Sequence, residues 1–242
     1  MLSVIMPVYN EKNTLLTILE KVRMVPIIKE IIIVDDGSVD GTRDILDPLR
    51  QEKDIKVIFH EKNQGKGAAI RTGLQFAVGD VIVIQDADLE YDPRDYLKLV
   101  PLIESGKAEV VYGSRILGRN DQSYFRYYWG GRLITAVTNL LFGLTLTDEA
   151  TCYKLFRRDV LNKIELDCTG FEFCPEVTAK VARLGYRIVE IPISYYPRSF
   201  EQGKKIKWRD GVIAIWTLLK CRFLPLERIL KPNRHFNGQV TK

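Results

Sequence analysis

Apolar runs of strand length alternate with helix-length amphipathic segments through the first half of the chain. Residues 2–6, 30–34, 55–59, 81–84 and 110–112 are rich in Val, Ile and Leu with few polar interruptions, the pattern of strands covered on both faces. Between them, 12–24, 42–51, 67–78 and 94–105 open through Asn, Asp, Gly or Pro and read as helices. The alternation predicts an α/β fold over 1–115, a doubly wound, mostly parallel sheet with helices on both faces. In such a sheet ligands bind beyond the carboxyl ends of the strands, so loops 7–11, 35–41 and 85–92 should share one crevice.

The pattern changes after Arg115. A polar, aromatic stretch, 120–132, leads to an uncharged run, 133–146, and then to a mixed region, 148–196, which we read as a second half completing the same domain, 1–200. The remainder, 201–242, is a basic loop, a helix over Trp208–Phe223 and a tail, and from Lys231 onward it reads as disordered. That helix mixes Trp208, Ile213, Trp216 and Leu219 with Lys207, Arg209, Lys220 and Arg222, a composition that suits a membrane interface or ordinary packing. Neither 133–146 nor 212–219 approaches the ~20 apolar residues needed to span a bilayer.

Composition changes this picture little. With 242 residues, 46% hydrophobic, the chain can bury a substantial core as one globular unit. The net charge of +5 is uneven, because from Arg198 to Lys242 the only acids are Glu201, Asp210 and Glu227. Phosphates, anionic lipid or nucleic acid would suit that stretch, and so would solvent. Cys152, Cys168, Cys174 and Cys221 show no zinc spacing and no disulfide density, and no export signal opens the chain, so we expect reduced thiols and a cytoplasmic location.

The chemistry concentrates at strand ends. In Ile84-Gln85-Asp86-Ala87-Asp88-Leu89-Glu90 a buried strand ends in carboxylates at Asp86, Asp88 and Glu90, hard ligands for Mg²⁺ or Mn²⁺ with substrate phosphates completing the shell. An acidic turn after a strand would read the same way. Asp35-Asp36-Gly37-Ser38 follows another strand, where carboxylates can hold ribose hydroxyls or a base edge, although Asp-Gly is also ordinary turn chemistry. Tyr9 could stack on a base, and Lys66 with Gly67 opens a helix where an anion is favoured.

Together these residues resemble a known family. Ser3-Val4-Ile5-Met6-Pro7-Val8-Tyr9-Asn10-Glu11, Val34-Asp35-Asp36-Gly37-Ser38, Asp40-Gly41-Thr42, Asn63-Gln64-Gly65-Lys66-Gly67, Asp86-Ala87-Asp88 and Gly113-Ser114-Arg115 resemble, in order, the inverting glycosyltransferases of family 2, which share the GT-A fold. The similarity is greatest to the dolichyl-phosphate mannose synthase group and runs through Tyr153-Lys154-Leu155-Phe156-Arg157 to about Phe223. The resemblance implies a nucleotide-sugar half (1–115) and an acceptor half (116–200). Pro7, Tyr9, Glu11, Asp36, Lys66, Asp86 and Ala87 would serve the nucleotide sugar. Asp88 would be the metal ligand, with Asp86 and Glu90 beside it, and Glu90 stands where the group often has Gln. Segment 196–207 resembles a mobile basic loop whose Arg198, Lys204 and Lys205 would stabilise the leaving diphosphate.

The implied acceptor is a polyprenyl phosphate. Hydroxyl-attacking members commonly carry a Glu-Asp pair where this chain reads Phe171-Glu172-Phe173-Cys174-Pro175-Glu176. An alcohol needs a base to take its proton, whereas a phosphate monoester, with a second pKa near ~6, is already ionised at neutral pH. Arg115, Arg126 and Arg132 are candidate phosphate hosts, and Glu172 as a base keeps a saccharide hydroxyl as the alternative. The expected donors are GDP-mannose or UDP-glucose, and the expected setting is peripheral, on the cytosolic face of a membrane, with no nucleic acid and no obligate protein partner. A dinucleotide oxidoreductase fits poorly because the third glycine position is Ile70. A nucleotidyltransferase would show a glycine-rich loop after the first strand, and a non-catalytic membrane-binding module would not need three converging acidic loops.

Overall fold

The computed structural model describes residues 1–118, 125–198, 205 and 207–231, and only the backbone of 125–127. Lys204, the side chain of Arg126 and the stretch beyond Lys231 expected to be disordered lie outside the described residues. Among the described residues seven strands form one sheet: β1 (Leu2–Val8), β2 (Lys29–Asp35), β3 (Ile55–Phe59), β4 (Val81–Ile84), β5 (Val110–Ser114), β6 (Lys154–Arg157) and β7 (Ile188–Pro192). Their spatial order is β3-β2-β1-β4-β6-β5-β7, parallel except for β6, which runs antiparallel between β4 and β5.

The apolar runs are strands because both sheet faces are covered. Val4, Met6, Ile31, Ile33, Val81 and Val83 point into one core, with Leu15 and Ile18 of α1 (Leu15–Met24), Leu46 of α2 (Thr42–Leu49) and Leu99 of α4 (Tyr96–Glu104). Their neighbours Ile5, Ile82 and Ile84 point the other way, onto Ile70 of α3 (Lys66–Leu74), Val160 of α6 (Arg158–Lys163) and Val177 and Val181 of α7 (Phe173–Arg183). This is the period of two expected of a pleated strand, and each such buried side chain contributes about 1.5–3 kcal/mol.

Among the described residues the four helices expected in the first half are present with shifted ends, and four more follow beyond Arg115. Helix α1 starts at Leu15 instead of 12, since Glu11-Lys12-Asn13 stays in the crevice loop: Lys12 N–H donates to Asp40 Oδ2 (3.2 Å), and Thr14 Oγ1 donates to Glu11 Oε2 (2.7 Å). The aromatic and uncharged stretches after residue 120 contribute to one helix, α5 (Phe125–Phe142). The C-terminal helix, α8 (Trp208–Phe223), has the expected bounds, and Asp210 accepts from the Lys207 N–H at its start (2.6 Å). Ile134, Val137, Leu141 and Phe142 of α5 pack against the buried cluster of Ala179, Leu218 and Cys221, so α5, α7 and α8 form one helical flank. Among the described residues no helix is long and apolar enough to cross a membrane.

Candidate functional site

Strands β2, β1 and β4 lie side by side and parallel, and the strand order turns over between β1 and β4. Their following loops therefore meet at a topological switch point, where α/β sheets bind ligands. Hydrogen bonds stitch the first two loops together. Asp36 N–H donates to Val8 O (2.8 Å), Asn10 N–H to Ser38 Oγ (2.9 Å), Val39 N–H to Asn10 Oδ1 (2.9 Å) and Glu11 N–H to Thr42 Oγ1 (3.1 Å). Asn10 holds this position at φ 51°, a left-handed conformation that Asn tolerates better than most residues.

The acids of the crevice divide into two groups. Asp35 and Asp36 are committed to the scaffold. Asp35 Oδ2 accepts from Arg43 Nε (2.7 Å) and Ser38 N–H (3.2 Å), while Asp36 accepts from Gln64 N–H (2.9 Å) and Gly65 N–H (2.7 Å) and pairs with His60 Nδ1 (2.8 Å). Asp36 thereby sets the entrance of α3. Gly65 there has φ 98°, and a Cβ on it would stand 2.3 Å from Thr169 O, so only glycine fits. The next residue, Lys66, places Nζ 2.5 Å from Asp86 and 3.0 Å from Cys152 Sγ. Burial opposes the Lys66 charge, yet Asp86, Cys152 and Cys174 carry its pKa well above the ordinary lysine value.

Glu11, Asp88 and Glu90 form the second group, and two cations, Arg198 and Lys205, lie against them. Arg198 Nη2 donates to Asp88 Oδ2 (2.8 Å), Arg198 Nη1 to Glu11 Oε2 (3.2 Å), and Arg198 N–H to Glu90 Oε1 (2.9 Å). Lys205 Nζ donates to Glu11 Oε1 (2.7 Å) and to the carbonyl of Tyr9, and lies 5.6 Å from the Tyr9 ring centroid. Burial, followed by the charges of Asp86 and Glu90, pushes the Asp88 carboxyl up to about 7 against the pull of Arg198. A buried carboxylate so crowded is short of positive charge.

Beside this crevice stands a second charged feature. Arg115 clamps Asp148 bidentately, with Nε to Oδ2 (2.8 Å) and Nη2 to Oδ1 (2.7 Å). Arg132 Nη1 donates to Thr147 O (3.1 Å), so both described arginines of the expected acceptor set converge on one turn. Glu190 of β7 holds that turn through the N–H groups of Thr147 (2.6 Å) and Asp148 (2.9 Å). Glu172, the candidate base, accepts from the N–H groups of Thr169 and Gly170 (both 2.9 Å). Burial alone would raise its pKa, but these bonds hold it below the usual carboxylate range, so it is a poor proton acceptor.

The structure thus brings Tyr9, Glu11, Asp88, Glu90, Arg198 and Lys205 together, with Asp86 and Lys66 paired beside them. Pro7 lies within β1, opposite Val34, and Ala87 is buried. Motif reading missed Arg43, His60, Asp148 and a tyrosine group behind the acids. In that group Tyr91 stacks on Tyr153 (4.7 Å), Tyr153 Oη donates to Gln85 Oε1 (2.7 Å) and Tyr195 Oη donates to Glu90 Oε2 (2.9 Å). The one available signal was aromatic density after strands, as in Tyr91 and in Tyr195-Tyr196.

The donor set suits a hard cation. Asp88 and Glu90 offer only oxygen, and the raised Asp88 pKa marks a place that favours added positive charge. Among the described residues no three His, Cys, Asp or Glu side chains close on one point. A cation there would take one or two carboxylates and complete its shell from outside the protein, as Mg²⁺ does with substrate phosphates.

Comparison with known proteins agrees with this architecture. The model of the family described as glycosyl transferase family 2 matches residues 3–165. An undecaprenyl-phosphate mannosyltransferase of Micrococcus luteus is 31% identical, covering 90% of this chain and 97% of its own length. A polyprenol monophosphomannose synthase of Mycolicibacterium smegmatis is 29% identical over 88% of this chain and 85% of its own. Among solved structures, glucosyl-3-phosphoglycerate synthase of Mycobacterium tuberculosis superimposes with a TM-score of 0.73 as its phosphoglyceric acid complex, at 20% identity, covering 93% of this chain and 81% of that one. The same enzyme has been crystallised with Mn²⁺, uridine diphosphate and glucosyl-3-phosphoglycerate (TM-score 0.71). A family match over most of the sheet, and a relative similar along nearly the whole length, lead to one assignment: the chain belongs to glycosyl transferase family 2, with the GT-A fold.

Proposed function

We propose that the protein is an inverting, metal-dependent glycosyltransferase that moves a hexose from a nucleotide sugar, with GDP-mannose and UDP-glucose as the first candidates, to a polyprenyl phosphate at the cytosolic face of a membrane. The observation that carries this reading is the position of Arg115, 78% buried as a side chain and bidentate on Asp148, beside an acidic crevice that has cations of its own. One site therefore offers two separate charge environments, one for a metal-bound diphosphate and one for a phosphate nucleophile. The names of the two bacterial relatives point to the same acceptor class and to mannose.

In this reading Pro7, Tyr9, Glu11, Asp36 and Ala87 shape the nucleoside end, and Lys66 keeps Asp86 ionised and in place. Bound on Asp88 with Asp86 and Glu90 alongside, Mg²⁺ or Mn²⁺ would screen the diphosphate charge as a Lewis acid. Arg198 and Lys205, with Lys204, stabilise the negative charge that grows on the leaving diphosphate. Arg115 and Arg132, with Arg126, hold the acceptor phosphate. A phosphate oxygen attacks the anomeric carbon as the bond to the diphosphate oxygen breaks, and the electron pair leaves with the nucleoside diphosphate. Attack opposite the leaving group inverts an α-linked donor to a β-linked lipid-phosphate sugar. The nucleophile is already ionised, so the engagement of Glu172 with backbone N–H groups costs the reaction nothing.

The helical flank supports the membrane setting. Trp208, Val212, Trp216, Leu219 and Phe223 recur at helical spacing along α8 and are exposed, as are Trp129, Leu133 and Leu140 along the adjoining α5. Exposed Lys207, Arg209, Lys220 and Arg222 border the α8 stripe, an arrangement that matches an anionic lipid surface. We divide the chain accordingly, with 1–200 catalytic and 201–242 serving closure and attachment. A thermal-shift screen of nucleotide sugars with and without Mn²⁺ tests the donor side. A rise in melting temperature that requires metal and sugar nucleotide together is expected, and none with any nucleotide sugar would defeat the reading.

A further inference from the structure

We propose that Tyr195 is a positioning residue that joins the two halves of the site, its hydroxyl fixing Glu90 on the donor side and its ring carrying Arg115 on the acceptor side. The inference rests on the proposed roles of Glu90 and Arg115. The geometry is direct. Tyr195 Oη donates to Glu90 Oε2 at 2.9 Å, and the Arg115 guanidinium carbon lies 5.2 Å from the Tyr195 ring centroid, within cation–π range. One 6% exposed side chain thus touches a candidate metal ligand with its tip and a candidate phosphate host with its face.

Tyr195 is also held so that it can transmit position. Its backbone forms an antiparallel bridge with Tyr91 on the acidic loop, Tyr196 N–H donates to Glu90 O (2.8 Å), and Ser194 N–H donates to Asp95 Oδ2 (2.7 Å). The ring packs on Tyr91 at 5.4 Å. The Glu90 carboxylate is gripped on both oxygens by one short stretch of chain, Oε2 by Tyr195 Oη and Oε1 by Arg198 N–H.

The phenol and the ring can be separated by substitution. Tyr195→Phe keeps the ring and removes the bond to Glu90, whereas Tyr195→Leu removes both. Mn²⁺ affinity is read by calorimetry with GDP or UDP present, whichever raises the melting temperature more, and acceptor KM is read in the transfer assay. Tyr195→Phe should weaken Mn²⁺ about tenfold and leave acceptor KM within about twofold, because a buried bond to a charged group is lost and the cation–π face is kept. Tyr195→Leu should weaken Mn²⁺ similarly and also raise acceptor KM severalfold. In a Glu90→Gln background, Tyr195→Phe should have much less effect on Mn²⁺. Unchanged Mn²⁺ affinity in a folded Tyr195→Phe protein overturns the proposal when Glu90→Gln weakens Mn²⁺ and Arg115→Gln raises acceptor KM. Silence of either of those two controls overturns the site reading and the coupling with it.

Discussion

Replacing Arg198 should have opposite effects on metal binding and on catalysis. Arg198 is the cation paired with Asp88, at 2.8 Å, and lies 3.2 Å from Glu11, with Nε 3.8 Å from Glu90. A divalent ion arriving alone has to displace it from Asp88. A metal arriving with a diphosphate offers the guanidinium new anionic partners, so metal and donor should bind cooperatively. A hydrogen bond between charged groups contributes about 1.5–3 kcal/mol net. Relieving competition worth ~2 kcal/mol should raise donor-free Mn²⁺ affinity about 30-fold in Arg198→Gln. The measurement is calorimetric titration of Mn²⁺ into protein without nucleotide. It belongs near pH 8.5, because Arg198 holds the Asp88 carboxyl down and its removal lets protons compete more strongly. The same variant should lose on the order of 10²-fold in kcat, the usual cost of removing one donor to developing negative charge. Donor-free Mn²⁺ affinity that is unchanged or weaker in Arg198→Gln would refute the reasoning, provided Asp88→Asn in that background abolishes the binding.

Three further outcomes are expected. Asp88→Asn should keep the fold and lose metal-dependent donor binding, so full turnover by this variant in excess chelator would exclude Asp88 as a ligand. Trp216→Gln combined with Phe223→Gln, both on the exposed stripe of α8, should lower co-sedimentation with anionic vesicles and leave the melting temperature within a few degrees; retained binding would exclude the stripe as the attachment face. The buried pair Glu149–Lys154 should show in stability alone: Glu149 Oε2 has no hydrogen-bond partner among the described residues, and burial raises the Glu149 pKa against the pull of Lys154 and Thr178. Because the folded state then holds that proton more tightly than the unfolded chain, the residue's contribution improves as pH falls through the native pKa toward 4.5 and worsens as pH rises. Denaturant titrations at pH 5 and 8 should find that slope reduced in Glu149→Gln, whose stability at pH 7 stays within ~1 kcal/mol of the parent. Lys154→Met should cost ~3–5 kcal/mol by leaving the carboxylate unpaired, and equal stabilities for the two variants would contradict the account.

The parts of the molecule legible in the sequence are those whose residues answer to local rules. Strands β1 to β5 are apolar on both faces, so their runs stand out whatever they pair with. Strand β6 reads Lys154-Leu155-Phe156-Arg157, charged at both ends, and its assignment depends on distant partners. Lys154 is buried where Glu149 O accepts from its Nζ (2.6 Å), the Glu149 carboxylate lies 3.8 Å away and the Tyr112 ring centroid 3.6 Å away. Helix α5 is obscured by Gly130, Gly131, Thr135 and Thr138, which lower helix propensity, and packing against α7 and α8 offsets that deficit. In the site, the acids at strand ends were visible as motifs, but their division was not. Asp36 looks as available as Asp88 in sequence, and only the approach of His60, Gln64 and Gly65 shows it to be occupied. Asp148 and Tyr195 carry no motif, and their importance comes from lying beneath Arg115.

The central claim is that a lipid phosphate, held near Arg115, attacks a sugar whose diphosphate lies at Asp88. It is tested most directly by incubating the protein and Mn²⁺ with labelled GDP-mannose or UDP-glucose in vesicles containing either a polyprenyl phosphate or the matched polyprenol. The account predicts label in a β-linked lipid-phosphate sugar, formed only with the phosphate, dependent on metal and strongly reduced by Arg115→Gln. Transfer to polyprenol, to saccharide or to protein hydroxyls, with none to the lipid phosphate, would contradict it.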